Sequence, residues 1–409
     1  MSNERDVLRM LAEKVAAVAM DSARMEPIRK RWRDVNALRK PDRAPVWCKP
    51  VGLWKELIPE ETLVCRDPFH RGIEHTLRQI IVKLELDDDT PVDPLYAVNA
   101  VLDVEPANVW GVDITQHAAP DADGAWGYAP PLIEAADFDR LRQPVYRYNA
   151  AATQHLMERV DGLIGDLLPP RRVCLPPLNA TYGQAAALRG LEQIMMDAID
   201  APELLHRLMA HLRDANLAAM DALEKARVLT TNHDLPDGGM GPAVYSEPIG
   251  AISKEGVASA NLWCAANSQE FDQVSPAMWE EFCLDYQKPV FARSGLVCYG
   301  CCESLTQKLD GVLSIPNLRI VVCSAWTDKD VLLAKVPADR YVIMWRQKAS
   351  EVCVPRDDAQ IRNDLLAGAK RFQGRYYQIV LRELQTLMGH TGRLHTWVRY
   401  AKEAAEKYA

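Results

Sequence analysis

LVCYGCCESLTQKLDGVL, residues 296–313, decides how the rest of the chain is read. Residues 296–299 are an apolar run of strand length. Gly300 permits a tight turn. From Glu303 to Leu313 the apolar positions recur at helical spacing, which predicts a helix. The same strand–turn–helix unit repeats downstream. Strands are expected at 319–322, 341–345 and 377–381, with helices at 329–335 and 358–372 between them. Upstream, strands are expected at 97–104, 173–175 and 258–263, and helices at 154–168, 203–223 and 275–286. An amphipathic helix over 393–408 closes the chain. Alternation of this kind means βαβ units and a parallel sheet. About eight strands over roughly 310 residues suit a closed (β/α)8 TIM barrel. A doubly wound sheet is the alternative, but no GxGxxG follows a strand and opens a helix. Residues 1–90 read as a helical extension and 91–409 as the barrel. In the extension, Pro27 is expected to break the first helical run, a loop rich in proline to cover 41–50, and a helix to span 68–84.

Composition narrows the function. A hydrophobic share of 48% with 25% charged residues is that of a globular protein, and no run of 18 apolar residues suggests a membrane span. The net charge of −8 and the absence of a basic stripe argue against nucleic acid as a partner. The charged N-terminus MSNERDVLRM lacks the apolar core of a signal peptide. Ten cysteines without an export signal point to reduced thiols and a cytoplasmic location. No GxSxG, HExxH or P-loop is present.

In a parallel barrel, the C-terminal ends of the strands carry the chemistry. Cys301, Cys302 and Glu303 are placed there. A helix starting at Glu303 would lower the thiol pKa through its unpaired N–H groups. Such thiolates are zinc ligands; the alternative is two cysteines packed under a loop. Adjacent Cβ vectors diverge, so the expectation is that one cysteine binds and a distant residue completes the site, with Cys353, His233 and Glu270 as candidates. Asn232 and His233 lie in a glycine-rich loop with Gly238, Gly239 and Gly241, where His233 either moves a proton or is an ordinary surface histidine. Gln269 and Glu270 follow a predicted strand and precede a helix capped by Ser275. Trp326 either walls a pocket or packs. Tyr299 ends the strand before Gly300 and is a substrate-binding candidate.

Several stretches together carry a family resemblance. They are WRDVNALRKPDRAPVW (32–47), DPFHRGIEHTLRQ (67–79), SQEFDQVSPAMWEEFCLDYQKPV (268–290), GLVCYGCCESLTQKL (295–309), IPNLRIVVCSAW (315–326) and ELQTLMGHTGRLHTWV (383–398). They resemble the uroporphyrinogen decarboxylase superfamily, in the branch related to corrinoid-dependent methyltransferases. The resemblance implies a TIM barrel and two chemistries. The decarboxylases hold carboxylates with an arginine-bearing loop; here PVWCKPVGLWKELIP (45–59) has Lys49 and Leu53 at the arginine positions. The methyltransferases bind zinc through a His-x-Cys at a strand end and a later cysteine. Here Cys298 stands at the histidine and Gly300 at the cysteine.

The resulting expectation is methyl transfer between a small methylated substrate and a methyl-corrinoid carried by a separate protein, or a folate. Cys301, Cys302 and Cys353 are the zinc candidates. Glu303, Glu270 and His233 are the proton-moving candidates. Gln269, Trp326, Asn232 and Tyr299 are the substrate contacts. A decarboxylating lyase on the same barrel is the second reading, and a non-catalytic binding barrel the third. The resemblance also implies pairing into a homodimer.

Overall fold

Six parallel strands share one sheet in the order Val46–Pro50, Tyr376–Leu384, Val342–Gln347, Leu318–Cys323, Leu296–Tyr299, Trp263–Ala266. The chain is seen in a computed structural model that describes residues 4–117, 127–177, 183–235, 245–354 and 357–409. The last strand in sequence therefore lies beside the first, with Val46 opposite Ile379 and Cys48 opposite Leu381. The strands are apolar on both faces because both are covered, as parallel sheets require. Along Val342–Gln347, Val342 and Met344 join one cluster with Cys298, Ile320, Val322 and Val380, and Ile343 and Trp345 join another with Val321 and Ile379. The second cluster lies against the helices Asp358–Phe372 and Arg393–Lys407, through Leu365, Phe372 and Trp397. Each such side chain contributes about 1.5–3 kcal/mol on full burial.

The expected run of eight ladder-bonded strands is not what the described residues show. Tyr96–Asn99 and Pro170–Val173 form a separate parallel pair, and two antiparallel pairs lie apart, Leu102–Glu105 with Val145–Tyr148 and Thr115–His117 with Gly127–Ala129. At the seams, side chains do the bonding of a neighbouring strand. Asp89 accepts from Val46 N at 2.7 Å and Asp88 from Cys48 N at 2.7 Å. On the other side Asn232 brackets Trp263, accepting from its N–H at 2.9 Å and donating to its carbonyl at 3.0 Å.

Several local expectations change. The strand expected at 97–104 divides into Tyr96–Asn99 and Leu102–Glu105, which belong to different sheets, and the strand expected at 173–175 lies at Pro170–Val173. Residues 46–50 form a strand rather than part of a loop, so the segment expected as a helical extension contributes to the sheet. Prolines bracket that strand, and Pro50 lies at its end, where a missing N–H costs least. The strand expected at 258–263 begins at Trp263. Pro27 sits inside the Ser22–Asn36 helix, and the break falls at Met20 and Asp21, with Asp21 capping Arg24 N. The helix expected from Glu303 begins only at Leu309, leaving 301–303 as a bend. Among the described residues no helix is long and apolar enough to cross a membrane.

Candidate active site

Alternation along two neighbouring strands aims two arginines at one place. Val342, Met344 and Arg346 share a face, as do Gln378, Val380 and Arg382. Both arginines stand at the C-terminal ends of their strands. Arg346 Nη1 lies 3.5 Å from Cys301 Sγ, and Arg382 Nη1 lies 3.6 Å from the same sulfur. By alternation Glu383 should point away from this face. It does not, because the register slips between the Cys48 and Pro50 pairs and Glu383 adopts a φ of +63°. An extra residue of this kind re-aims a side chain. Glu383 Oε1 accepts from Arg346 Nη1 at 2.8 Å and faces Cys302 Sγ at 3.7 Å.

The two sulfurs converge at 3.7 Å. Together with a Glu383 oxygen they form a group whose ligand atoms all lie within 4.8 Å of one another. The divergence expected of adjacent cysteines is therefore absent, because the bend after Gly300 is not helical. Gly300 has a φ of +112°, and a Cβ there would lie 2.9 Å from Val322 Cβ. We expect Gly300→Ala to cost about 2 kcal/mol from combined backbone strain and overlap. A urea midpoint unchanged from wild type would contradict this.

Cys301 is held well below the ordinary thiol range, first by the hydrogen bond with Cys302 and then by the guanidiniums of Arg346 and Arg382. Cys302 moves up in turn, because it supplies that hydrogen bond, is desolvated and faces the Cys301 and Glu383 charges. The expected helix-terminus effect is replaced by two arginines from other strands.

Glu303 is 2% exposed and acts as a brace. Its two oxygens accept from Ser268 N at 2.8 Å and Cys301 N at 2.9 Å, and its carbonyl accepts from Ser324 Oγ at 2.7 Å. Burial raises its pKa. Glu303→Gln would turn an amide donor toward one of those N–H groups. We expect a loss of about 2 kcal/mol or more, close to that of Glu303→Ala, read from thermal or urea unfolding. A glutamine variant as stable as wild type would remove the bracing role. Glu270 is different: its Oε2 is buried without a partner among the described residues, and burial, with the nearby Glu303 and Cys301 charges, raises its pKa.

The remaining candidates are placed as follows. Cys353 is outside the sulfur group, with its Sγ 3.2 Å from the Thr386 carbonyl. Asn232 is tied to the first residue of the Trp263–Ala266 strand, whereas Cys301 follows the strand whose Tyr299 pairs with the last residue, Ala266. Asn232 and the adjacent His233 thus lie toward the opposite end from the sulfurs. His233 Nδ1 is buried without a partner among the described residues, and burial lowers its pKa. Tyr299 is fully buried and donates to Gln287 Oε1 at 3.0 Å, on the helix side of the sheet. Gln269 is exposed. Trp326 is 63% exposed beside the site's rim, with Lys348 Nζ 4.8 Å from its ring centroid. Gly238, Gly239 and Gly241 lie outside the described residues. Arg346, Arg382 and Glu383 are the members that sequence reading missed. The predicted strands stopped one residue short of each arginine. A charged residue ending an apolar strand was the available signal.

No family model matches the chain, and no curated protein matches it. A solved structure of a methyltransferase from Methanosarcina mazei is similar in fold. Its TM-score is 0.53 at 11% sequence identity, over 92% of this chain and 98% of that one.

Proposed function

We propose that this protein is a methyltransferase that works at the Cys301–Cys302–Glu383 group. The observation that carries the reading is the convergence of two sulfurs and a carboxylate at the C-terminal ends of parallel strands. The fold likeness to a methyltransferase supports it. On this reading the two seams complete an eight-stranded barrel, with side chains standing in for ladder bonds.

The group fits zinc. Two sulfurs on a tetrahedral zinc, with bonds of about 2.3 Å, stand roughly 3.8 Å apart, and these stand 3.7 Å apart. Three protein ligands with an open fourth position are the pattern of a catalytic site. Bound there, zinc would supply Lewis-acid activation of a methyl-bearing or methyl-accepting heteroatom. Arg346 holds Glu383 and Cys301 in place before any ligand arrives. Arg382 adds a second cation that favours the ionised sulfur. Glu270, whose Oε2 has no partner among the described residues, donates a proton to the leaving heteroatom. The substrate is a small methylated compound, and the other partner is a methyl-corrinoid on a separate protein, or a methylfolate.

The test is direct. Chelated protein reloaded with zinc should retain about one ion per chain. It should also demethylate free methylcobalamin in the presence of a small thiol, read from the loss of the methylcobalamin absorption. Protein that holds no zinc and leaves methylcobalamin unchanged would overturn the proposal. One observation favours a lyase as the second reading: a carboxylic acid with a raised pKa, Glu270, that feels the charge of Cys301, the sulfur on which two arginines suited to a carboxylate converge. Carbon dioxide release by metal-free protein would distinguish it.

A further inference from the structure

We propose that Cys301 and Cys302 form a reversible vicinal disulfide when the protein meets a hydroperoxide, with Cys301 as the attacked-from sulfur and Cys302 as the resolving one. As regulation of the site this rests on the methyl-transfer reading, since the disulfide removes two of its three zinc ligands. As chemistry it concerns the metal-free protein alone.

Four features carry it. The sulfurs are 3.7 Å apart and both residues are half-buried, so the pair is reachable and already close. Closure requires the sulfurs to approach to about 2.05 Å. That movement breaks no helical hydrogen bond, because residues 301–303 form a bend and the following helix begins only at Leu309. In the helix that the sequence predicts, the backbone would resist it. Arg346 and Arg382 each place an Nη1 at the Cys301 sulfur, at 3.5 and 3.6 Å, where they can also bond the departing peroxide oxygen. Glu383 Oε1 lies 3.7 Å from Cys302 Sγ, within reach to take the proton of the resolving thiol when that thiol turns from Cys301.

The steps balance. A sulfur lone pair of Cys301 attacks the terminal oxygen of the hydroperoxide. The S–O bond forms, the O–O bond breaks, and the departing oxygen takes the thiol proton and leaves as an alcohol. Cys302 then attacks the Cys301 sulfur. The S–S bond forms and the S–O bond breaks, while the Cys302 proton passes through Glu383 to the leaving hydroxide, giving water. Two thiols lose two electrons, and the hydroperoxide is reduced to alcohol and water. Added dithiol reverses the change by exchange.

The experiment uses full-length, chelator-treated protein and tert-butyl hydroperoxide. Mass spectrometry of the peptide spanning 301–302 should show the loss of two hydrogens and of both alkylation sites, restored by dithiothreitol. Cys353, the other half-buried cysteine, serves as an internal reference. Cys302→Ser should accumulate a sulfenic acid at Cys301 that dimedone traps. Cys301→Ser should consume the peroxide at least about tenfold more slowly. Three results would overturn the proposal: both thiols still alkylatable once Cys353 has been oxidised, Cys301 passing to sulfinic acid in the wild type without a disulfide, or bonds formed only between molecules. Zinc content is measured on a separate untreated sample. Failure of zinc binding therefore counts against the methyl-transfer reading and leaves this result standing.

Discussion

Cys301→Ser is expected to lower zinc affinity at least about 100-fold, read by competition against a chromophoric chelator. The serine keeps the size of the side chain but removes the sulfur on which both guanidiniums and Cys302 converge. A companion measurement isolates the cause. In the metal-free wild type, alkylation of Cys301 should reach its plateau well below the ordinary thiol range, because its folded pKa is lowered. In Arg346→Gln the profile should move to higher pH, since one of the two cations is gone. The sign for stability follows. A group whose folded pKa lies below its unfolded value stabilises the fold above the unfolded value, and that contribution is lost as pH falls through the folded one. Cys301→Ser should therefore remove a stability gain seen at alkaline pH, and the variant and wild type should converge on acidification. Zinc affinity equal to that of wild type would exclude Cys301 as a ligand.

Asp89→Ala is expected to cost about 3–5 kcal/mol, a large part of the roughly 5–15 kcal/mol that a domain commonly holds. The Asp89 side chain is 2% exposed and faces two buried guanidiniums, Arg31 Nη1 at 2.7 Å and Arg43 Nη1 at 2.6 Å. It also accepts from Val46 N at 2.7 Å, at the open edge of the first strand. Arg31 keeps a second partner in Asp42, at 2.7 Å, but among the described residues Arg43 keeps the adjacent Ala44 carbonyl at 3.1 Å and a distant Glu406 at 3.8 Å. Removal therefore strands a buried charge and frees a strand N–H together. Asp89→Asn should lose less, because an amide oxygen still accepts one of these bonds. Denaturant unfolding of the three proteins would show the order, and an alanine variant within 1 kcal/mol of wild type (a typical surface-substitution effect) would contradict the seam.

Much of the α/β order was legible from local pattern. The strand Leu296–Tyr299 and the helices Lys329–Lys335 and Asp358–Phe372 lie where hydrophobic periodicity puts them. Periodicity is a property of neighbouring residues, so one sequence contains it. Proline punctuation misled at residues 46–50, where the pairing partner is some 330 residues away. Nothing local marks a residue that becomes a strand only by lying beside Ile379 and Leu381.

The site divides in the same way. Residues 300–303 drew notice from the sequence because a glycine, two thiols and a carboxylate follow an apolar strand. What those thiols meet was not written there. Arg346 and Arg382 arrive from strands 45 and 81 residues away, and Glu383 arrives through a one-residue slip in register. Local sequence fixes which residues can be strand, turn or helix, since backbone preference acts over a few bonds. Tertiary structure decided which charges surround a sulfur, because Coulomb and hydrogen-bond terms depend on distance in space. That is also why Cys353 and His233, sensible ligand candidates by residue type, end up at the Thr386 carbonyl and toward the far end of the strands.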